Sequence, residues 1–186
     1  MGTYTPAWKA RFGTPLVDQM IAIFQRDQAA ALAIVNAARA AKGNAALGPI
    51  NDFHKGPIMD VQPPCLFASY VGVGFRREDA YTRRQAGRIE LALTVPDVDP
   101  EMATVDAADY AWMMDMIVTT PPTSDWEAAL TIDNETMPEG VTVPNATGTI
   151  KDVFVESHTL LETKREEREL PSLAVHLVVL FELEEA

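Results

Sequence analysis

The residue types that most often carry catalysis or bind metals are scarce in this sequence. It has one cysteine, Cys65, and three histidines, His54, His158 and His176, with neither HxH nor HxxxH spacing. Cys65 opens an apolar run, where a buried, unreactive thiol is expected, because activation needs an electropositive and accessible surrounding. His176 is expected to be a structural histidine. A pairing of Cys65 with His54 remains as an alternative.

Clustered carboxylates are the second candidate chemistry. Asp97, Asp99 and Glu101 could together bind a hard cation, but the twelve-residue pattern of a calcium loop is missing. Turning the chain and capping a helix explains the same residues. Gly72 and Gly74 lack the continuation that a phosphate-binding loop requires. We therefore expect no catalytic site, no cofactor and no metal, and a protein that is not an enzyme.

The charges are distributed very unevenly. The net charge is −12, and the span between Arg88 and Lys151 is rich in Asp and Glu but contains no Lys or Arg. Such acidity argues against general nucleic-acid binding, which rests on basic residues at phosphates. The tract is either a solvated surface or one half of a contact between identical copies. In the second case the basic segment just before it is the other half, with Arg76, Arg77, Arg83 and Arg84.

Composition and length predict an ordinary globular domain. The hydrophobic fraction of 47% and the charged fraction of 23% are typical values, and 186 residues form a core without disulfides or metals. One cysteine fits a reducing compartment. No apolar run is long enough to span a bilayer, and the N-terminus lacks the apolar core of a secretion signal. We expect a soluble protein made inside a cell.

The first residues are predicted to form an arm. Tyr4, Trp8 and Phe12 are spaced four apart but are accompanied by Pro6 and Gly13. Such aromatics either dock on a neighbouring molecule or fold back on their own domain. We expect an N-terminal arm over residues 1–13 and a single domain over residues 14–186.

Two helices are predicted from apolar residues at helical spacing. The first covers residues 14–42, beginning at Thr14-Pro15 and stopping at Gly43-Asn44. Its core positions are Leu16, Met20, Ile23, Phe24, Ala31, Ile34, Val35 and Ala38. The second covers residues 105–118, with Val105, Ala108, Trp112, Met113, Met116 and Ile117. Further helical turns are predicted over residues 123–130, and irregular segments over residues 44–63 and 132–148.

Four strands are predicted, over residues 65–73, 88–95, 150–160 and 171–184. The first strand is expected to be buried on both faces and to form a hairpin with the second through an arginine-bearing loop, residues 74–87. The third strand is expected to contain a bulge. The fourth is about 14 residues long, against a usual five or six, so it lies centrally in a sheet or continues beyond its own domain. We predict an α+β fold: an antiparallel or mixed sheet of about four main strands, with a long N-terminal helix and a second helix packed on one face.

In this order the elements resemble the tail terminator proteins of long-tailed bacteriophages, siphophage- or myophage-like, and of phage-derived gene-transfer particles. The resemblance covers most of residues 14–184 and is one of layout, without a diagnostic motif. It rests on the long first helix, the proline-led strand Pro63-Pro64-Cys65-Leu66-Phe67, the strand 88–95 that leads into the second helix, and the final pair of strands.

The resemblance implies a structural virion protein of the neck, which takes part in viral tail assembly and head-tail joining. Six copies would form a ring that caps the tail tube, contacts the tail tube protein and the neck or stopper protein, and lets DNA pass through its lumen without specific binding. It would occur in the virion tail after assembly in the cytoplasm of the bacterial host, with no membrane involved. Arg76, Arg77, Arg83, Arg84, Tyr4, Trp8 and Phe12 would be interface residues. The candidates for an acidic lumen or ring interface are Asp97, Asp99, Glu101, Asp125, Glu127, Asp133, Glu135 and Glu139.

Three alternatives remain open at this point. One is another neck or tail component, such as a stopper, an adaptor or a tail completion protein. The second is a small soluble enzyme or ligand-binding domain, which would need a pocket where Cys65, His54 or several carboxylates converge. The third is a cellular scaffold that oligomerises without forming a particle.

Overall fold

The computed structural model describes residues 13–56, 63–77, 83–95, 100–119, 129–132, 135–136, 142–143, 146–164 and 171–185. Two helices and eight strands follow one another in this part of the chain, in the α+β arrangement predicted from the sequence. They are α1 (Gly13–Ala41), β1 (Asp52–Lys55), β2 (Cys65–Arg77), β3 (Arg83–Thr94), α2 (Pro100–Thr119), β4 (Ala129–Ile132), β5 (Glu135–Thr136), β6 (Thr142–Val143), β7 (Ala146–Lys164) and β8 (Pro171–Glu185).

Helix α1 is the predicted N-terminal helix, and it ends at the predicted glycine. Gly43 has a φ of 77°. Its N–H bonds the carbonyl of Ala40 at 3.1 Å, and the N–H of Asn44 bonds the carbonyl of Arg39 at 3.0 Å. These two bonds make a Schellman cap, which needs a left-handed residue just after the helix, and glycine adopts that conformation without a Cβ clash.

The segment after α1 runs back along the helix and is held there by two side-chain amides. The amide of Asn36 donates to the carbonyl of Leu47 at 3.1 Å and accepts from its N–H at 2.7 Å. The amide of Gln28 pairs in the same way with Ile50, at 3.3 and 3.0 Å. Each side-chain amide thus provides the hydrogen-bond donor and acceptor that a neighbouring strand would otherwise provide to the backbone N–H and carbonyl of the bonded residue. We call residues 44–51 the strap.

Strand β1 follows the strap, so the prediction that residues 44–63 are irregular is wrong for Asp52–Lys55. The strand pairs in parallel with the start of β2, with Asp52 opposite Cys65. It has only four residues, and their side chains are exposed or half-buried. A strand this short and polar has no apolar alternation by which the sequence could reveal it.

Six strands form one sheet, in the order β1-β2-β3-β8-β7-β4. Strands β2, β3, β8 and β7 are the four main strands predicted, and each pairs antiparallel with its neighbour. Strands β2 and β3 form the predicted hairpin. Strand β8 lies centrally, between β3 and β7, which is one of the two positions predicted from its length. Strand β7 contains the predicted bulge, with register shifts at Ile150/Asp152 and at Val155/Ser157.

Several strands are longer than the sequence predicts. The prediction of a loop over residues 74–87 is wrong at both of its ends, because β2 continues to Arg77 and β3 begins at Arg83. Residues 78–82 lie outside the described part of the chain. This part of the hairpin is rich in glycine and arginine, so its apolar alternation is weak although its backbone pairs.

The polar region before β7 also contains strands. The prediction of an extended loop over residues 132–148 is wrong for the described residues of this range, which belong to the end of β4, to β5 and β6, and to the start of β7. The predicted helical turns are wrong at Ala129 and Leu130, which belong to β4. Residues 121–128 lie outside the described part of the chain. Strands β4, β5 and β6 have only four, two and two residues, too few to show a period-two pattern in the sequence.

Both helices lie on one face of the sheet and share a core with it, as predicted. On β2 and β3 the register places Leu66 opposite Leu93 and Ala68 opposite Leu91, and all four are buried. Helix α1 contacts β2 and α2, whereas α2 contacts β7 and β8. The inner faces of both helices and this face of the sheet form one hydrophobic cluster.

The opposite face of the sheet has no helix over it in the described part of the chain. Phe67 is half-buried, Val71 is exposed, and so is Arg88 on the neighbouring strand. The prediction that strand 65–73 is buried on both faces is therefore wrong beyond Cys65. The apolar composition of this strand does not show which of its faces is packed under the helices and which is only partly covered.

Three large side chains predicted to face the core lie on the surface of the helical layer. Ile34 of α1 is 55% exposed, and Val105 and Trp112 of α2 are also exposed. Met113 and Ile117 of α2 are buried as predicted. The rest of the core-facing side of this helix is formed by Ala103, Ala107, Tyr110, Met114 and Val118. Helix α2 is apolar around most of its circumference, so spacing alone does not identify the buried side.

Candidate assembly surfaces

The four arginines predicted to form a contact lie side by side on two strands. The register of the hairpin sets Arg76 opposite Arg84 and Arg77 opposite Arg83. Like charges directly opposite each other on antiparallel strands repel. This end of the sheet is therefore stable only where acidic residues or solvent offset the positive charge.

Strand β8 brings acidic residues to one side of this group. Its register with β3 sets Glu184 opposite Arg84 and Glu185 opposite Arg83. Opposite charges in such cross-strand positions are favourable. The two arginines of β3 thus have acidic neighbours within the chain. Sequence separation hides this, because β8 is the last strand and the arginines precede it by about half the chain.

The outer edge of β2 is covered only at its start. Strand β1 pairs with residues 65–68 of β2. Among the described residues, no strand pairs with the outer side of residues 71–77. Arg76 and Arg77 lie on this part of β2, so of the four arginines they are the better placed to contact another molecule.

The outer edge of β7 is covered in the same partial way at the other side of the sheet. Strand β4 pairs with β7 only from Ala146 to Thr149. In the part of the chain that the structure describes, no strand pairs with the outer side of residues 154–164. Glu156, Ser157 and Thr159 within this stretch are exposed. Neither edge can be identified from residue types, because a free edge follows from strand order.

Part of the acidic tract is neutralised inside the chain by Arg39. This arginine is 3% exposed, and its guanidinium lies 2.6 Å from a carboxylate oxygen of Asp106 and 2.5 Å from one of Asp109. Its Nε also donates to the carbonyl of Ala45 at 2.6 Å. These two aspartates therefore have a basic partner, although the tract itself contains no Lys or Arg. Their partner lies 67 and 70 residues earlier in the chain, beyond the reach of a local charge pattern.

The Arg39 cluster joins α1, α2 and the strap. Burial works against the charge on Arg39, but the hydrogen bonds to Asp106 and Asp109 outweigh it, so the pKa of Arg39 is raised. Beside the cluster, the hydroxyl of buried Tyr110 donates to the carbonyl of Gly48 at 2.8 Å. Burial, with the charge of Asp106, raises the pKa of Tyr110 to about 12. All these groups have partners within the chain, so the cluster acts as a structural clamp.

Two of the other predicted acidic candidates lie in described elements. Glu101 belongs to the first turn of α2, and Glu135 opens β5, opposite Val143 of β6. Their place at a lumen or ring interface stays a prediction. The remaining candidates lie outside the described residues: Asp97, Asp99, Asp125, Glu127, Asp133, Glu139, Tyr4, Trp8 and Phe12.

Cys65 and His54 lie on neighbouring strands, each with a different contact. Cys65 is fully buried, and its Sγ lies 2.8 Å from the hydroxyl oxygen of Thr94. The ring of His54 stacks on that of Phe67, with centroids 5.5 Å apart. A buried thiol beside a hydroxyl agrees with the structural cysteine predicted. Within the described residues, no three His, Cys, Asp or Glu side chains are grouped closely enough to hold a metal ion.

No described helix has both the length and the apolar character needed to cross a membrane. No family model fits the chain, and no curated protein is significantly similar to it.

Proposed function

We propose that this chain is a structural virion protein, a tail terminator that forms a ring on the end of the tail tube of a long-tailed bacteriophage or phage-derived particle. The layout carries the proposal. A helix of 29 residues and a helix of 20 residues pack on one face of a sheet whose last two strands have 19 and 15 residues. This arrangement is the one on which the resemblance to terminators is based.

A ring of identical copies needs two different surfaces that complement each other, because each copy contacts the next head to tail. Arg76 and Arg77, at the uncovered end of β2, offer a basic surface. The net charge of −12 leaves a large acidic excess elsewhere on the molecule. Opposite charges on the two surfaces would bring copies together in one orientation and disfavour contacts between like surfaces.

The acidity also suits a conduit for DNA. A lumen lined by carboxylates repels phosphates, so that a duplex passes through without adhering to the wall. The tract between residues 97 and 139 supplies the candidates for this lining. A basic lumen would instead hold the genome in place.

The experiment is deletion of the gene from the phage or particle that encodes it, followed by complementation. A tube without its terminal ring has no structural stop, so we expect tails of abnormal length that do not join heads. Wild-type protein should restore normal particles, whereas the double variant R76E/R77E should not. R26E is the matched control, since Arg26 lies exposed on α1 in an ion pair with Asp27.

Two results would overturn the proposal. One is normal tails after deletion of the gene. The other is purified wild-type protein that gives no rings by electron microscopy and only the mass of a single chain by light scattering. Crosslinking within assembled particles separates a terminator from another neck component, because only a terminator should crosslink directly to the tail tube protein.

A further inference from the structure

The uncovered parts of β2 and β7 lie at opposite corners of the same sheet. Strand β1 covers β2 at its beginning, and β4 covers β7 at its beginning. Because β2 and β7 run in opposite directions, these two beginnings are at opposite ends of the sheet. Among the described residues, each outer strand therefore has a free edge at the end where the other is covered.

We propose that these two edges pair with each other between copies. Residues 71–77 of β2 in one copy would add antiparallel to residues 154–164 of β7 in the next, which joins the sheets edge to edge. This inference rests on the proposed function in one respect, namely that the contacts between copies build a ring. It adds which surfaces of the chain form those contacts.

The strand directions fit this pairing. Strand β2 is antiparallel to β3, β3 to β8, and β8 to β7, so β2 and β7 are antiparallel to each other. A second copy set beside the first in the same orientation therefore presents β7 antiparallel to β2. The alternation of the sheet continues across the contact, and the backbone groups of each free edge find partners.

The charges favour this pairing over pairing of like edges. Residues 71–77 carry Arg76 and Arg77 and no acidic residue, whereas residues 154–164 carry Glu156 and Glu162. In the register that sets Arg76 opposite Glu156, opposite charges meet across the contact. Glu162 and Lys164 then both lie beyond residues 71–77, so Glu156 is the acidic residue that meets the arginines. Within its own chain, Glu156 Oε2 also lies 3.7 Å from Arg88 Nε. Two copies of the β7 edge in full overlap would instead set Glu156 against Glu162, which repel each other.

The positions of the two edges also impose a stagger. In the register with Arg76 opposite Glu156, successive copies are displaced along the strands by roughly six residues, or about 20 Å at about 3.3 Å per residue. Staggered strands tilt with respect to the axis of the assembly, as strands in closed barrels do. A contact between two different edges gives a ring when the rotation closes and a filament when it does not.

Crosslinking between single-cysteine variants tests the pairing directly. Cys65 is buried, so a short bismaleimide reagent should react with introduced cysteines on the surface. V71C and T159C place one at each proposed edge, at positions exposed in the chain. We expect crosslinked dimers from a mixture of V71C with T159C and from neither variant alone. A mixture of V71C with A40C, whose cysteine lies on the exposed side of α1, is the control and should give none.

A charge exchange provides the second test. R76E/R77E and E156K/E162K should each weaken self-association of the full chain at least about tenfold, measured by sedimentation or light scattering. A mixture of the two variants should associate again, because each supplies the edge that complements the other. R26E should associate like the wild type. Circular dichroism checks that every variant is folded.

The results separate this inference from the proposed function. Crosslinks in V71C alone or in T159C alone, or none in their mixture, would overturn the inference, and so would unchanged association of R76E/R77E. If one of these results is obtained but the protein still forms rings and restores normal particles in the deletion strain, the terminator proposal stands and the edge pairing fails. If the crosslinks and the charge exchange behave as expected but deletion leaves tails normal, the edge pairing stands and the terminator proposal fails.

Discussion

Replacing Arg39 by methionine tests the clamp between the two helices. Methionine keeps much of the length of the buried side chain but removes all three of its hydrogen-bond contacts. Asp106 and Asp109, three residues apart on one face of α2, then lose the cation that separates their charges. The carbonyl of Ala45 loses its donor as well.

The size of the effect follows from how deeply the pairs are buried. Removing one partner of a fully buried ion pair costs about 3–5 kcal/mol. The Asp106 and Asp109 side chains are 26% and 22% exposed, so water partly solvates them once Arg39 is gone. We therefore expect R39M to lose about 2–4 kcal/mol of unfolding free energy. With a urea m-value of about 2 kcal/mol/M, the unfolding midpoint should fall by about 1–2 M.

The assay is urea unfolding followed by circular dichroism, at one protein concentration because self-association adds to apparent stability. The triple variant R39M/D106N/D109N removes the unpaired carboxylates and should regain at least half of the loss. R26M is the control. Arg26 is exposed and pairs with the adjacent Asp27, and exposed pairs contribute about 0–1 kcal/mol.

A loss below about 1 kcal/mol for R39M, equal to that of R26M, would refute the reasoning. The same conclusion follows if the triple variant is less stable than R39M. In that case the carboxylates would stabilise the fold without Arg39, and the cluster would not be a charge clamp.

Three further predictions concern the strap, its tyrosine and the helix cap. N36A should lose about 1–3 kcal/mol of unfolding free energy, because it leaves the N–H and carbonyl of Leu47 without their partner; N36D, which keeps only the acceptor, should lie between N36A and wild type in urea unfolding, and equal stability of all three would contradict the strap. Since the pKa of Tyr110 is about 12 in the folded chain and about 10 unfolded, its contribution is complete below pH 10 and is lost as the pH rises from about 10 through 12. The difference of about two pKa units corresponds to roughly 2–3 kcal/mol, so Y110F should be less sensitive to alkali than wild type in this window, and an identical alkaline profile would count against the assignment. G43A should cost about 1–2 kcal/mol in thermal unfolding, because alanine resists a φ of 77°; G48A, where a Cβ meets nothing within 4 Å, is the control and should be neutral, and equal losses would show that the left-handed cap is not responsible.

The elements that the sequence predicted correctly are those with local signals. Helix α1 is marked by apolar residues at helical spacing and by Gly43-Asn44, whose chemistry ends a helix within a few residues. Strand β8 is marked by alternation and by its length, which predicted a central position as one of two alternatives. Its apolar row is in register with Ile89, Leu91 and Leu93 of β3, which are buried. Periodicity and capping act over one or two turns, so they can be read directly from the chain.

What only the tertiary structure decided depends on contacts between distant segments. The pairing of Arg39 with Asp106 and Asp109, and of the β3 arginines with the end of β8, connects charges that lie 67 or more residues apart. Within the described residues, β1 and β4 each cover only four residues of a long strand, which leaves the rest of the outer edges of β2 and β7 without a partner strand. Strand order and register are set by the packing of the whole sheet. The residues available to a second copy therefore emerge only once the chain has folded.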